Sequence, residues 1–199
     1  MLKEGPSSAS IMVRGVSIIS LTEYVRASLD PAEFGHFMLH RLTSDSKTLL
    51  QIQKKEWYPF SLQRKMREVI AEHFNPRDPE KAVYDAGIFA ASYEIASFLK
   101  GMLVNVPFHL ALNNISVMWK KYYNKGTLLI NRTDAGVVIE LKDFEPDPLF
   151  PPLIEAWFTQ VFRTMGFLKV EVEDAGTKHS DDPVLQWRIR LGENSRNAC

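Results

Sequence analysis

The chain is predicted to fold as an α+β domain, an N-terminal helical layer packed on a C-terminal, antiparallel-rich sheet of order β-β-α-β-β. Three observations predict it. Cap-and-proline signals and apolar faces of helical period fill the first 125 residues. From Thr127 onward, β-branched apolar runs replace them, joined through the turn signal Asp134-Ala-Gly136. Last, one amphipathic helix after Asp147-Pro148 separates two pairs of such runs, which is an α+β order rather than an alternating α/β one.

The elements follow in order. Ile11 to Ile19 reads as a strand or extended lead-in, and Ser20-Leu-Thr-Glu23 as a capping box opening a short helix to about Ser28. Asp30-Pro31 restarts helix, with Phe34, Phe37, Met38 and Leu42 on it; aspartate caps, and proline sits where its missing N–H costs nothing. Pro59 starts another, with Leu62, Met66, Val69 and Ile70 along one face. Asp78-Pro79 opens a long helix that tolerates Gly101 and breaks near Val106, ahead of Pro107. A separate helix then runs to about Tyr123. Thr127 to Thr133 and Gly136 to Leu141 form a hairpin. The helix after Asp147 carries Leu153, Ile154, Trp157, Val161, Phe162 and Met165 and stops at Gly166. Phe167 to Val172 and Val184 to Leu191 are the last strands.

With 199 residues, the chain fits one domain, taken as 11–191 with flexible tails at 1–10 and 192–199. Its 24 basic residues balance 24 acidic ones, which speaks against nucleic acid as a partner. Cys199 is the only cysteine, so neither a disulfide framework nor a thiolate metal site forms within one chain. Residues 1–10 lack the apolar core of a signal peptide. The long apolar run from Ala86 to Met118 is interrupted by Glu94, Lys100, Gly101 and Pro107, too often for a transmembrane segment. A cytoplasmic setting follows as the expectation. That run must be buried in the domain, either as core or as the wall of an apolar pocket.

Arg14-Gly15-Val16 leading to Glu23-Tyr24-Val25, Trp57-Tyr58-Pro59 before a helix, and Trp119-x-x-Tyr-Tyr-x-x-Gly126 before the hairpin form a recognisable set. With the β-β-α-β-β ending, the chain resembles the 4-vinyl reductase domain over about Met12 to Leu191. That family belongs to a superfamily with haem-nitric-oxide sensor domains and ligand-binding subunits of a Golgi vesicle-tethering complex. Many 4-vinyl reductase-like domains carry cysteines near the final hairpin; the stretch from Ala175 to Val184 has none. The haem sensors' Tyr-x-Ser-x-Arg motif is absent as well, although His109 falls at about the place of their proximal histidine.

No motif names a reaction. There is no Gly-x-Ser-x-Gly elbow, phosphate loop or dinucleotide fingerprint, and no enzyme activity is expected. His36 and His40 stand one helical turn apart, but only Glu33 offers itself as a further ligand, and a metal site needs three or four. Asp181-Asp182 and Glu171, Glu173 and Asp174 read as solvated charges. Phe89, Tyr93, Phe98, Met102, Phe108, Trp119, Tyr122 and Tyr123 each read singly as plain core; together they could line a slot between long helix and sheet, and the resemblance is what favours the slot. His109 reads either as a hydrogen-bonded histidine at a kink or as a haem ligand.

The expected function is therefore a non-enzymatic sensory module holding an apolar or amphipathic small molecule, its polar group met by Tyr93, His109 or Tyr122. A signalling protein partner would supply the output, and a homodimer is possible. Two alternatives stay open: an interaction scaffold whose pocket is filled by side chains, and a haem-based gas sensor using His109.

Overall fold

A computed structural model describes residues 10–42, 49–145, 147–178 and 184–194. Seven α-helices precede or interleave with six strands among them. Strand β1 (Met12–Arg14) pairs antiparallel with β2 (Trp57–Pro59). The helices are α1 (Gly15–Ser28), α2 (Pro31–Arg41), α3 (Phe60–Phe74), α4 (Pro79–Glu94), α5 (Lys100–Leu103), α6 (Phe108–Tyr122) and α7 (Phe150–Thr164). Strands β3 (Thr127–Thr133), β4 (Gly136–Lys142), β5 (Val170–Lys178) and β6 (Val184–Leu191) form one antiparallel sheet of order β3-β4-β6-β5. The α+β class, the helical N-terminal layer and the sheet's element order all stand as read from the sequence.

Local chemistry explains most boundaries. Asp30 Oδ1 accepts from the amides of Ala32 and Glu33, and Glu33 returns a bond to the Asp30 amide, a complete capping box. Asp78 Oδ1 accepts from the Lys81 amide at 3.0 Å, with Pro79 in the first turn of α4. Helix α7 closes with Phe167 N donating to Phe162 O and Gly166 N to Arg163 O, a Schellman pair. In β4, Val137, Ile139 and Leu141 are buried while Val138 and Glu140 alternate outward, so one face of the sheet packs on helices.

Several expectations need correction. The chain is extended only over Met12–Arg14, and α1 begins at Gly15. Ser20 therefore lies inside that helix, its hydroxyl turned to the core rather than capping a terminus. The long helix breaks earlier than proline alone dictates: a π-helical turn, Ile95–Leu99, and the four residues of α5 follow α4, and Asn105 takes φ 62 before Pro107. Asp147 turns to a buried arginine, and α7 starts at Phe150. Strand β5 starts at Val170, not Phe167, which instead bridges to Asn194. Residues 1–9 and 195–199 of the expected tails, the Asp181-Asp182 pair and the side chain of Phe98 fall outside what is described; Gly192 to Asn194 pair with Phe167 to Lys169.

Helix α4 is the axis of the fold, packed between α1 and α3 on one side and α7 on the other. The residues that carry the family resemblance also meet in space. Arg14 lies over the Trp57 ring at 4.0 Å, and Trp119 Nε1 donates to Lys125 O at 3.1 Å. Gly126, at φ 83, lets the chain turn from α6 into β3 with Leu141 and the Trp119 indole close against it.

Candidate functional site: a buried carboxyl at an interior cavity

The buried stripe of α4 runs through Ala86, Ala90 and Glu94, spaced four apart, so helical period carries a carboxylate into the core. The alanines let neighbouring helices approach closely, and Glu94 is only 2% exposed. The π-helical turn begins at the next residue; such turns concentrate at functional positions because they break the regular ladder.

Donors from two helices converge on Glu94, and a third helix brings a phenol to it. Ser20 of α1 donates to Oε1 at 2.9 Å, Trp157 of α7 donates through Nε1 to Oε2 at 3.2 Å, and the Tyr122 phenol of α6 acts on the same carboxyl electrostatically. Burial lifts the carboxyl to about 7, against the pull of its polar neighbours Ser20, Tyr122 and Trp157. Burial, reinforced by the nearby Glu94 charge, also raises the Tyr122 phenol far above its ordinary range.

Beside this carboxyl lies an interior cavity of about 40 Å³. Ser17 and Leu21 of α1, Gly87 and Ala90 of α4, Ile115 of α6, Leu128 of β3 and Leu153 and Ile154 of α7 form part of its wall. Five aromatic residues complete it: Trp119, Tyr122, Tyr123, Trp157 and Phe158. A second polar set adjoins the first. Gln63 Nε2 donates to Ser17 Oγ at 2.5 Å and to the Tyr123 hydroxyl at 3.2 Å, while Gln63 Oε1 accepts from Arg67 at 2.8 Å. Arg67 in turn pairs with Asp147 and lies over the rings of Phe60 and Phe150, at 5.0 and 5.4 Å. Burial lowers the Arg67 pKa and the Asp147 charge opposes that shift. Burial also raises the Tyr123 phenol to about 12, opposed by the Gln63 bond and the Arg67 charge.

Of the residues singled out in the sequence, Trp119, Tyr122 and Tyr123 line this cavity, whereas Phe89, Tyr93, Met102, Phe108 and His109 do not. Phe89 packs edge-on against Tyr24 at 5.8 Å, and Tyr93 lies under Lys54. Met102 is partly buried and offers its carbonyl to Asn114. Phe108 and His109 line a separate outer groove of about 420 Å³, with Arg132 over the Phe108 ring; His109 itself is exposed. His36 and His40 stack at 4.1 Å, and no group of three possible metal ligands occurs among the described residues. Glu94, Ser20 and Trp157 were missed as site residues. The signal was present: Glu94 is the lone acid in the apolar run, and its i, i+4 relation to Ala90 and Ala86 places it inward.

No family model matches the chain, and no curated protein matches it by sequence. Solved structures do match. A single-substitution variant of H-NOX from T. tengcongensis is 11% identical, covers 92% of this chain and 99% of its own, and superposes with a TM-score of 0.65. A Cs H-NOX variant carrying an unnatural amino acid gives 10% identity, coverage of 92% and 98%, and a TM-score of 0.66. An oxygen-binding H-NOX domain related to soluble guanylate cyclases gives 10%, 91% and 96%, and 0.63. The fold is that of H-NOX domains.

Some H-NOX structures of this kind were solved to probe heme distortion, so the fold implies a haem to test for here. The cavity does not fit one. At about 40 Å³ it is far below the several hundred that a drug-sized ligand needs. No histidine, cysteine or methionine lines it, and its two tyrosines are held toward the neutral phenol, the wrong form for binding iron. His109, the ligand expected under the haem reading, faces the outer groove instead. No helix among the described residues is long and apolar enough to cross a membrane.

Proposed function

We propose that this chain is a 4-vinyl reductase-like sensory module that binds a small molecule in the cavity between α1, α4, α6 and α7, without haem and without catalysing a reaction. The observation that carries it is a buried carboxyl of α4 at the wall of an interior cavity, hydrogen-bonded from both α1 and α7. A ligand that takes over one of those bonds releases one helix from the other two. Its differential affinity for the joined and released states is what moves the equilibrium. Trp119, Tyr122 and Tyr123 act as walls, and Glu94 with Tyr122 meets the polar group of an amphipathic ligand. A cytoplasmic signalling partner, or a second copy of the chain, reads the shifted helical face.

Native mass spectra of wild type and Ala90→Val, compared with denatured samples, test this reading. Ala90 lines the cavity, so the added methyls fill it. An adduct lost on denaturation, present in wild type and missing from a folded Ala90→Val, supports the cavity as the site. An adduct retained by the variant, or no adduct from cell extract or metabolite mixtures, overturns it and favours the scaffold alternative.

The H-NOX neighbours favour the haem-based alternative above the apolar-ligand reading on grounds of fold. Its test is optical. Haemin added to the purified protein would give a ligated Soret band that His109→Ala abolishes; unchanged free-haemin spectra remove it.

A further inference from the structure

We infer that the ligand of this cavity is a small organic cation, a primary alkylammonium ion, held by Glu94 within the aromatic wall. The inference deepens the proposed function and rests on its cavity. Three features point to a cation. First, Glu94 Oε2 accepts from an indole N–H, which only donates, and Oε1 accepts from the Ser20 hydroxyl, so the carboxyl is arranged as an acceptor. Second, no cationic group among the described residues acts on it, and the one arginine buried among them, Arg67, is committed to Asp147 and Gln63. A buried carboxylate without a counter-ion is costly, and an ammonium ligand supplies that counter-ion. Third, aromatic rings make up five of the fourteen lining residues, the surroundings in which ammonium groups are stabilised by cation–π attraction.

Size narrows the class. One water-sized sphere takes roughly 10–15 Å³ on this scale, so a cavity of about 40 Å³ accepts an ion of methylammonium to ethylammonium size. Ligand-efficiency limits put the Kd of so small an ion at about millimolar or weaker.

Binding is coupled to the carboxyl's proton. With the acid at about 7, an arriving cation favours the ionised form, so binding below that pH releases a proton and affinity rises between pH 6 and 8. The titratable groups facing Glu94 are Tyr122 and Tyr123, both of whose pKa values are raised, so they stay neutral over this range; Ser20 and Trp157 do not titrate there.

The experiment is a titration of wild type, Glu94→Gln and Ala90→Val with ethylammonium chloride, with ethanol as the neutral probe and sodium chloride as the ionic-strength control. Tryptophan fluorescence reads it, since Trp119 and Trp157 both line the cavity; calorimetry gives the proton count, and circular dichroism confirms that each variant is folded. Saturable ethylammonium binding is expected in wild type, at least 10-fold weaker in Glu94→Gln, absent in Ala90→Val, and stronger at pH 8 than at pH 6. Ethanol binding as well as or better than ethylammonium, with Glu94→Gln indifferent, overturns the cation and leaves the cavity reading standing. Ethylammonium binding that survives Ala90→Val lies elsewhere and also overturns it. If neither probe binds any of the proteins, both the cation and a cavity open to molecules of this size fall.

Discussion

Trp157 Nε1 donates to Glu94 Oε2 over 3.2 Å, pinning α7 to the buried end of α4. The indole can only donate, so the bond survives either protonation state of the acid, provided the proton sits on the other oxygen. Burial decides which state is favoured. The folded carboxyl is raised from 4.5 to about 7, so it binds its proton more tightly in the folded state than in the unfolded one. That contribution is fully present below pH 4.5 and is lost as pH rises through 7. The shift corresponds to roughly 3 kcal/mol at most. Glu94→Gln keeps an acceptor for Trp157 and cannot ionise. Urea denaturation of both proteins from pH 4.5 to pH 8 should show wild type losing up to that amount relative to the variant. A difference that stays constant with pH would mean that Glu94 titrates as an ordinary surface acid does.

Arg67 and Asp147 form the other buried polar centre, joining the middle of α3 to the residues just before α7. Their ion pair is fully enclosed, with Gln63 and two aromatic rings around the guanidinium. Removing one partner leaves an uncompensated charge, so Arg67→Met is expected to cost about 3–5 kcal/mol. Arg67→Met combined with Asp147→Leu removes both charges and should cost far less than the sum of the two single changes. A double-mutant cycle by chemical denaturation measures that coupling. Additive losses would show that the two side chains contribute independently.

His109 gives a contrasting prediction. Its ring is exposed at the start of α6 and belongs to the groove, not the cavity. His109→Ala should change unfolding free energy by no more than about 0.5 kcal/mol and leave binding in the cavity untouched. Thermal unfolding and the fluorescence titration check both halves. A loss above about 2 kcal/mol would mark the histidine as an anchor of the α5–α6 junction.

The fold was legible where local chemistry sets it. Asp30-Pro31, Asp78-Pro79 and the Asp134-Ala-Gly136 turn each act over a few residues, and each element they announce is present. Ser20-x-x-Glu23 has the same local form, yet the helix begins five residues earlier: Gly15 and Val16 donate to carbonyls of the 54–56 segment, and no sequence window contains that contact. The site was legible by halves for the same reason. Trp119, Tyr122 and Tyr123 were found because they cluster in sequence, whereas Ser20, Glu94 and Trp157 come together from three separate helices. Phe89, Tyr93 and Met102 do not line the cavity because an aromatic or a methionine on a helix faces several neighbours, and residue type does not say which.

The close passage between α4 and α7 tests whether helix spacing controls the cavity. Gly87 of α4 faces α7 so closely that an added Cβ would lie 2.6 Å from Ala156 Cβ and 3.0 Å from Leu153 O. Neither neighbour can swing aside, since one is a methyl on the helix itself and the other is backbone. Alanine is favoured over glycine in a helix by about 1 kcal/mol, but overpacking a close contact costs about 1–3 kcal/mol, and the two helices have to separate. Gly87→Ala is therefore expected to lower stability, with Ala156→Gly in the same chain restoring most of it by reopening the space. Gly87, Leu153 and Trp157 also line the cavity, so moving α7 outward would lengthen the Trp157–Glu94 bond and alter tryptophan fluorescence. Thermal unfolding with emission spectra of the single and double variants reads both effects. A Gly87→Ala protein as stable as wild type and spectrally unchanged would show that α4 and α7 adjust freely, and that their spacing does not set the size of the cavity.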